Sequence, residues 1–499
     1  MTNRSGKLLL VLVVGAALFV STAGPSAAAA PDLKVEGSSI IDESTGSEFV
    51  PRGVNWPSFE YACIQGWGYS NFGATRATAA AMKAWNINTV RIPVNQDCWL
   101  GDDGQPAIGS TLFTPTAAGY RGAIETFVGF LNDQGIAVVL DLHWTGQAGT
   151  VADGLRPMAD ERSVDFWKSA ALTFRDNGSV MFDLFNEPHS RWDTERNQWA
   201  FRLTWQCWAN GGCIAPDQPD TISDPAGLFY TAAGMTDLVT AVRSVGAEQP
   251  LILGGLDYSN DLSDWNANAP ADDQLIAGFH NYPGKRCDEV DCWDHEIATV
   301  AKEVPVLTGE VGQKDCASGF TTGYLDWADQ HGIGYLAWAW WDLSGTILEP
   351  GPGCSNFALI EDLGGTPTVP YGSDFKAHLA APLDEVIPPP PLPRIKRQSA
   401  RVKILSAKVN GGRLRAAFRL HPLATGKITS RLTVRKGQRR KTLRAKDRLN
   451  AGRSRVTMTI RRGWKAKKIV VFYPGNELIK PDKSSRRFLA VSKRKESRR

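Results

Sequence analysis

Two apolar runs in this chain stop on a glutamate: "VMFDLFNE" (180–187) ends at Glu187 and "VPVLTGE" (304–310) at Glu310. Two carboxyl groups facing each other across a shared pocket can split a glycosidic bond. One protonates the leaving oxygen while the other attacks the anomeric carbon, provided their surroundings drive the two pKa values apart. Asn186, next to Glu187, is placed to hydrogen-bond a sugar hydroxyl near the reacting carbon. Arg91 in "NTVRIPV" supplies a cation that would keep Glu310 charged, and Tyr282 in "GFHNY" a hydroxyl that would bond to it. His143 and His280 stand outside H-x-H and H-E-x-x-H spacings, so bonding to sugar hydroxyls is expected of them rather than metal binding. A lone acid at a strand end is usually a solvated loop residue. Asn55, Arg91, His143, Asn186 with Glu187, His280 and Glu310 all fall near strand ends, and one shared polar pocket explains them together.

Of 17 tryptophans, Trp56, Trp144, Trp338, Trp340 and Trp341 lie just beyond strand ends. Indole faces suit both protein cores and the C–H face of a sugar ring. Alternation in "YLAWAWWD" puts Trp338 and Trp340 on one strand face with Trp341 opposite; Trp338 is the expected sugar platform.

The elements that must position these groups repeat along the chain. Strand-like runs at 48–55, 88–94, 136–143, 180–187, 250–255, 274–280, 304–310 and 333–340 alternate with helical patterns at 74–85, 115–134, 163–175, 226–245, 293–302 and 320–330. Eight such units predict an α/β fold, a (β/α)8 TIM barrel, with the polar residues on its C-terminal face. The glycine-rich phosphate loop that would open a doubly wound sheet is missing after the first strand.

Residues 1–30 read as a secretory signal peptide: Arg4 and Lys7, then thirteen apolar residues from Leu8 to Val20, then small residues. A membrane anchor needs about 18 or more. Eight cysteines without C-x-x-C spacing fit disulfides in an exported protein. Sequence leaves their connectivity open. Short loops suggest 207/213 and 287/292, with 63/98 and 316/354 expected for the rest.

A barrel domain is expected over 31–384, a stiff Pro-rich linker over 385–396, a small all-β Ig-like sandwich over 397–490 and a disordered basic tail over 491–499. Charge breaks at the same place. Residues 394–499 hold 35 Lys+Arg against 4 Asp+Glu, the remainder 21 against 48.

The series "RGVN" (52–55), "NTVRIPV" (88–94), "LDLH" (140–143), "DLFNEPH" (183–189), "GFHNY" (278–282), "VLTGE" (306–310) and "YLAWAWW" (335–341) resembles, in order and spacing over about residues 35–380, the motifs of glycoside hydrolase family 5. These are cellulase-like retaining glycosidases of the N-E-P clan. The resemblance implies Glu187 as acid/base and Glu310 as nucleophile, with Arg91, His143, Asn186, His280, Tyr282 and Trp338 lining the cleavage subsite. It also implies that neither a metal nor an organic cofactor takes part. Retention requires the two carboxyl groups to lie about 5–5.5 Å apart.

An endo-β-1,4-glucanase acting on a β-glucan polysaccharide is the leading expectation, and a β-mannanase or other β-glycosidase of the family the runner-up. The non-enzyme alternative is a wall-attached carbohydrate-binding protein. A secreted, extracellular monomer is expected, with no membrane association after signal cleavage. In such a protein the basic domain suits an anionic cell-wall polymer or acidic polysaccharide, and nucleic acid is not expected as its partner.

Overall fold

The computed structural model describes residues 30–71, 73–101, 116–147, 151–193, 196–217, 228–315, 317–342, 357–381, 398–421, 427–449, 453–473, 479–480 and 482–488. The expected signal peptide, save for residue 30, lies outside these, as do the tail, Cys316, Cys354 and the whole of the Pro-rich linker. The chain divides into two compact units, Met1–Pro388 and Pro389–Arg499. Among the described residues no helix is long and apolar enough to cross a membrane.

The first unit is built on a closed barrel of eight parallel strands: β1 (Arg52–Asn55), β2 (Thr89–Asn95), β3 (Ala137–Trp144), β4 (Val180–Asp183), β5 (Leu251–Gly254), β6 (Leu275–Asn281), β7 (Val306–Val311) and β8 (Gly334–Ala337). All eight coincide with runs expected from sequence. Strand β8 pairs with β1 and β5 with β4, so the ring has no free edge. Gly53 serves this closure, since a Cβ there would lie 1.7 Å from the Thr89 carbonyl oxygen on β2.

Helices follow where caps start them. Thr75 caps α1 (Arg76–Lys83) through the Thr78 N–H, Thr116 caps α2 (Ala117–Asn132) through Gly119, and Asp160 with Ser163 forms a reciprocal box on α3 (Glu161–Phe174). Further helices, α4 (Met235–Ser244), α5 (Gly319–Gln330) and α6 (Tyr371–Ala380), continue the ring.

Period-two alternation sorts each barrel strand into two faces. On β3, Val138, Leu140 and Leu142 pack outward in the large core under the helices, while Ala137 and Val139 join Met181, Ile252, Ile276, Leu307 and Leu336 in a second cluster. Leu33, Val35 and Ile40, from an N-terminal hairpin that sequence reading missed, belong to that cluster. Continuing inward along β3 come Asp141 and His143. The barrel interior therefore turns from apolar to charged along the strands, and the site begins there. Three disulfides, Cys63–Cys98, Cys207–Cys213 and Cys287–Cys292, agree with the expected pairs.

The second unit is all-β. Strands β9 (Lys403–Asn410), β10 (Arg413–Arg419) and β13 (Arg453–Thr459) form one antiparallel sheet. A second holds β12 (Arg439–Arg448), β11 (Lys427–Lys436), β14 (Lys465–Tyr473) and β15 (Asp482–Arg487), in that order. Leu414, Phe418 and Val456 of the first share a core with Leu432, Ile469 and Val471 of the second, which makes a sandwich.

Candidate active site

Arg91 organises the polar end of the barrel. It is fully buried on β2, and its guanidinium reaches four neighbouring strands or strand ends. Its Nε donates to Asp183 Oδ2 at 2.9 Å, Nη1 to Glu310 Oε1 at 2.8 Å and to Asn55 Oδ1 at 3.0 Å, and Nη2 to Asn186 Oδ1 at 2.7 Å. Asp141 Oδ1 stands 3.1 Å from Nη2. Burial works against this charge, but Asp141, Asp183 and Glu310 together raise the Arg91 pKa further. One cation cannot neutralise three buried carboxylates. Burial pushes Asp141 up to about 7 and Asp183 up to about 6, with Arg91 pulling both the other way.

Glu310, on β7, is 4% exposed and accepts two hydrogen bonds, from Arg91 and from the Tyr282 hydroxyl at 2.7 Å to Oε2. Burial first, then Glu310 and Glu187, hold the Tyr282 phenol far above its ordinary value, so it stays a donor. Gly309 leaves the room this needs: a Cβ there would stand 3.0 Å from His280 Nε2 and 3.7 Å from Arg91 Nε.

Glu187 departs from the sequence expectation. Strand β4 stops at Asp183, not at Glu187. Residues 184–187 leave the ladder but stay tied to it through Leu184 N–H to Ile252 O and Asn186 N–H to Leu142 O, both 3.0 Å. Glu187 then takes a left-handed φ of 51°, a conformation uncommon for any residue with a side chain, immediately before Pro188. Its carboxylate meets His280 Nδ1 at 3.0 Å, and the same nitrogen is 3.6 Å from Glu310 Oε2. An oxygen of Glu187 and one of Glu310 lie within 4.8 Å of each other.

Two histidines flank the carboxylates. Burial first holds each at about 4, with Arg91 adding to the depression, so both are neutral near pH 7. His143 Nδ1 is 2.6 Å from Asp141 Oδ2, which fixes the ring and turns its other nitrogen toward the cleft. A third, His189, donates from Nδ1 to the Glu187 carbonyl at 2.8 Å and stacks on Tyr258 at 4.4 Å, bracing the turn that carries Glu187.

All eight expected site residues are thus assembled. Among the described residues His143, Asn186, Glu187, Tyr282, Glu310 and Trp338 line one cleft of about 650 Å3, with Arg91 and His280 behind it. Trp338 stacks on His143 at 5.6 Å with a 12° interplanar angle, and Trp144 lines the same cleft. The expected alternation after β8 fails, because the strand ends at Ala337. Trp340 turns into the core against Trp85, Trp56 is fully buried, and Trp341 packs edge-on against Trp338. Asp141 and Asp183 were not singled out in the sequence, although a lone acid within an apolar strand was a signal for both. Phe357, Lys285, Gln313 and Lys314 also line the cleft and carried no sequence signal.

Glu187, His280 and Glu310 converge closely enough to hold a cation. Each, however, already has hydrogen-bond partners within the protein. The arrangement offers one carboxylate held by a cation and a phenol, and a second, more exposed one, both opening on a cleft with an indole wall.

Residues 43–344 match the family described as cellulase (glycosyl hydrolase family 5). The fold is similar to the crystal structure of a beta-glucanase from Saccharophagus degradans, with 19% identity and a TM-score of 0.50 over 71% of this chain and 94% of that one. The same enzyme in complex with cellotetraose matches at 18% identity over the same shares, again with a TM-score of 0.50.

Proposed function

The chain belongs to glycosyl hydrolase family 5 and is a glycoside hydrolase; from that premise we propose that it cleaves a β-1,4-glucan internally, by double displacement. Glu310 acts as nucleophile and Glu187 as acid/base. The observation that carries this reading is the approach of the two carboxylates to within 4.8 Å of each other. Retaining enzymes separate them by about 5–5.5 Å, whereas about 6.5–9.5 Å would leave room for the water that inversion requires.

The division of roles follows from the partners. Arg91 and Tyr282 both donate to Glu310 and so stabilise charge on it, as a nucleophile needs. Glu187 has neutral His280 beside it and the more open position, which suits an acid that must release and recover a proton. With its Oδ1 taken by Arg91, Asn186 has its amide N–H2 left for a sugar hydroxyl. Trp338 offers an indole face to the sugar bound in the cleft.

The cellulase description of the family supports β-glucan as substrate. Secretion through the N-terminal leader, an extracellular location, a monomeric state and an anionic cell-wall polymer as second partner belong to the same proposal. The test is reducing-sugar release from soluble cellulose, glucomannan, galactomannan and xyloglucan, with Glu310→Gln beside the wild type. Release from soluble cellulose that vanishes in the variant is the expected result. Preference for galactomannan would replace the substrate, and silence on all four would overturn the endo-glucanase reading.

A further inference from the structure

The geometry points to a binding face for a carboxylated polysaccharide on the four-stranded sheet of the C-terminal sandwich. Along β11, Ile428, Ser430, Leu432 and Val434 are buried, so Thr429, Arg431, Thr433 and Arg435 face outward. Pairing carries this face across the sheet in rows. Arg440, Arg435 and Lys465 stand abreast, as do Arg444, Arg431, Val470 and Ser485. Between these two rows lie Thr442, Thr433, Lys468 and Arg487, and beyond the second lie Lys446, Thr429, Phe472 and Lys483. Nine cations therefore share one face with three threonines and a serine. No carboxylate stands on this face among the described residues, since Asp447 turns inward to accept from Ser454.

Evenly spaced cations select a polyanion, and two features select its class. Neighbouring strands are about 4.8 Å apart, close to the length of one pyranose unit, so a chain laid across the strands would bring successive ring substituents to successive side chains. Hydroxyls interleaved with the arginines can bond sugar hydroxyls, while guanidinium forks take carboxylates two-pronged. Base recognition in a single-stranded nucleic acid relies on aromatic platforms. Here Phe472, 45% exposed, is the one aromatic ring on the face among the described residues.

This inference rests on the attachment reading of the basic domain. Its readout is binding without hydrolysis, so its failure and the failure of the glucanase reading are told apart. The full-length protein is titrated with polygalacturonate at low ionic strength, where surface charge is least screened. Replacing Arg431, Arg435, Arg440 and Arg444 together by serine should weaken binding by about tenfold or more. Serine at Arg413, Arg415, Arg453 and Arg455, on the outer face of the opposite sheet, should change it by less than about twofold. Lysine at the first four positions keeps the charge without the forks and should recover part of the binding that serine loses, which separates loss of the face from loss of the fold. Equal losses from the two faces would overturn the assignment, leaving only net charge. Tighter binding of polyphosphate or single-stranded DNA at equal charge concentration would overturn the class of partner.

Discussion

Arg91 Nη1 lies 2.8 Å from Glu310 Oε1, and the guanidinium that makes this contact is fully buried. Arg91→Lys keeps the charge but cannot reach Asp183, Asn55, Asn186 and Glu310 at once, and kcat should fall about 100-fold or more while the protein still folds. Arg91→Met leaves Asp141, Asp183 and Glu310 without their cation, and should cost about 3–5 kcal/mol of stability. Denaturant titration beside kinetics separates the two effects.

If Glu187 supplies the proton, the damage from removing it depends on the leaving group. Glu187→Ala should cut polymer hydrolysis by about 10²–10⁴-fold. An aryl glycoside whose phenol leaves without protonation should retain its first step, and added azide should restore turnover as a glycosyl azide. Equal loss on both substrates would assign the role elsewhere.

Trp338 is argued to hold the sugar, not to react. Trp338→Ala should lower kcat/KM by about tenfold, the worth of one aromatic contact, with most of the change in KM. A loss confined to kcat would contradict the platform role.

Glu60 gives a pH signature outside the reacting groups. Burial pushes its carboxyl from an ordinary 4.5 up to about 8, Asp141 adds to the rise, and its Oε2 accepts from the Ser58 N–H at 2.7 Å. The native state thus holds a proton that the unfolded chain releases near pH 4.5. The stability linked to that proton is fully present below pH 4.5 and is lost as pH rises through about 8. Glu60→Gln keeps the acceptor without the titration. Its stability relative to wild type should improve from pH 4.5 to 8 by on the order of a few kcal/mol and then level off. A flat difference across that range would refute the buried acid.

The barrel was legible because each strand is a bounded apolar run and each βα unit repeats the same change of period. Site residues were legible for a related reason: polar groups at the ends of apolar strands need a common explanation. Of the features that escaped, three show why. The left-handed turn at Glu187 lies where "LFNE" still reads as strand, because side-chain type does not report the register break after Asp183. Trp340 looked like a neighbour of Trp338 because alternation was extended past the point where β8 ends. Strand β12, "RRKTLRAKDR", turns only Leu443 and Ala445 inward as apolar residues, so almost no period-two signal is left in it.

The most direct test of double displacement is to trap the glycosyl-enzyme. A 2-deoxy-2-fluoro-β-cellobioside with an activated leaving group slows breakdown of the intermediate more than its formation. Incubation followed by peptide mass spectrometry should place one fluoroglycosyl ester on Glu310, with none in Glu310→Gln. No adduct, together with first-formed product of inverted anomeric configuration by proton NMR, would contradict the account.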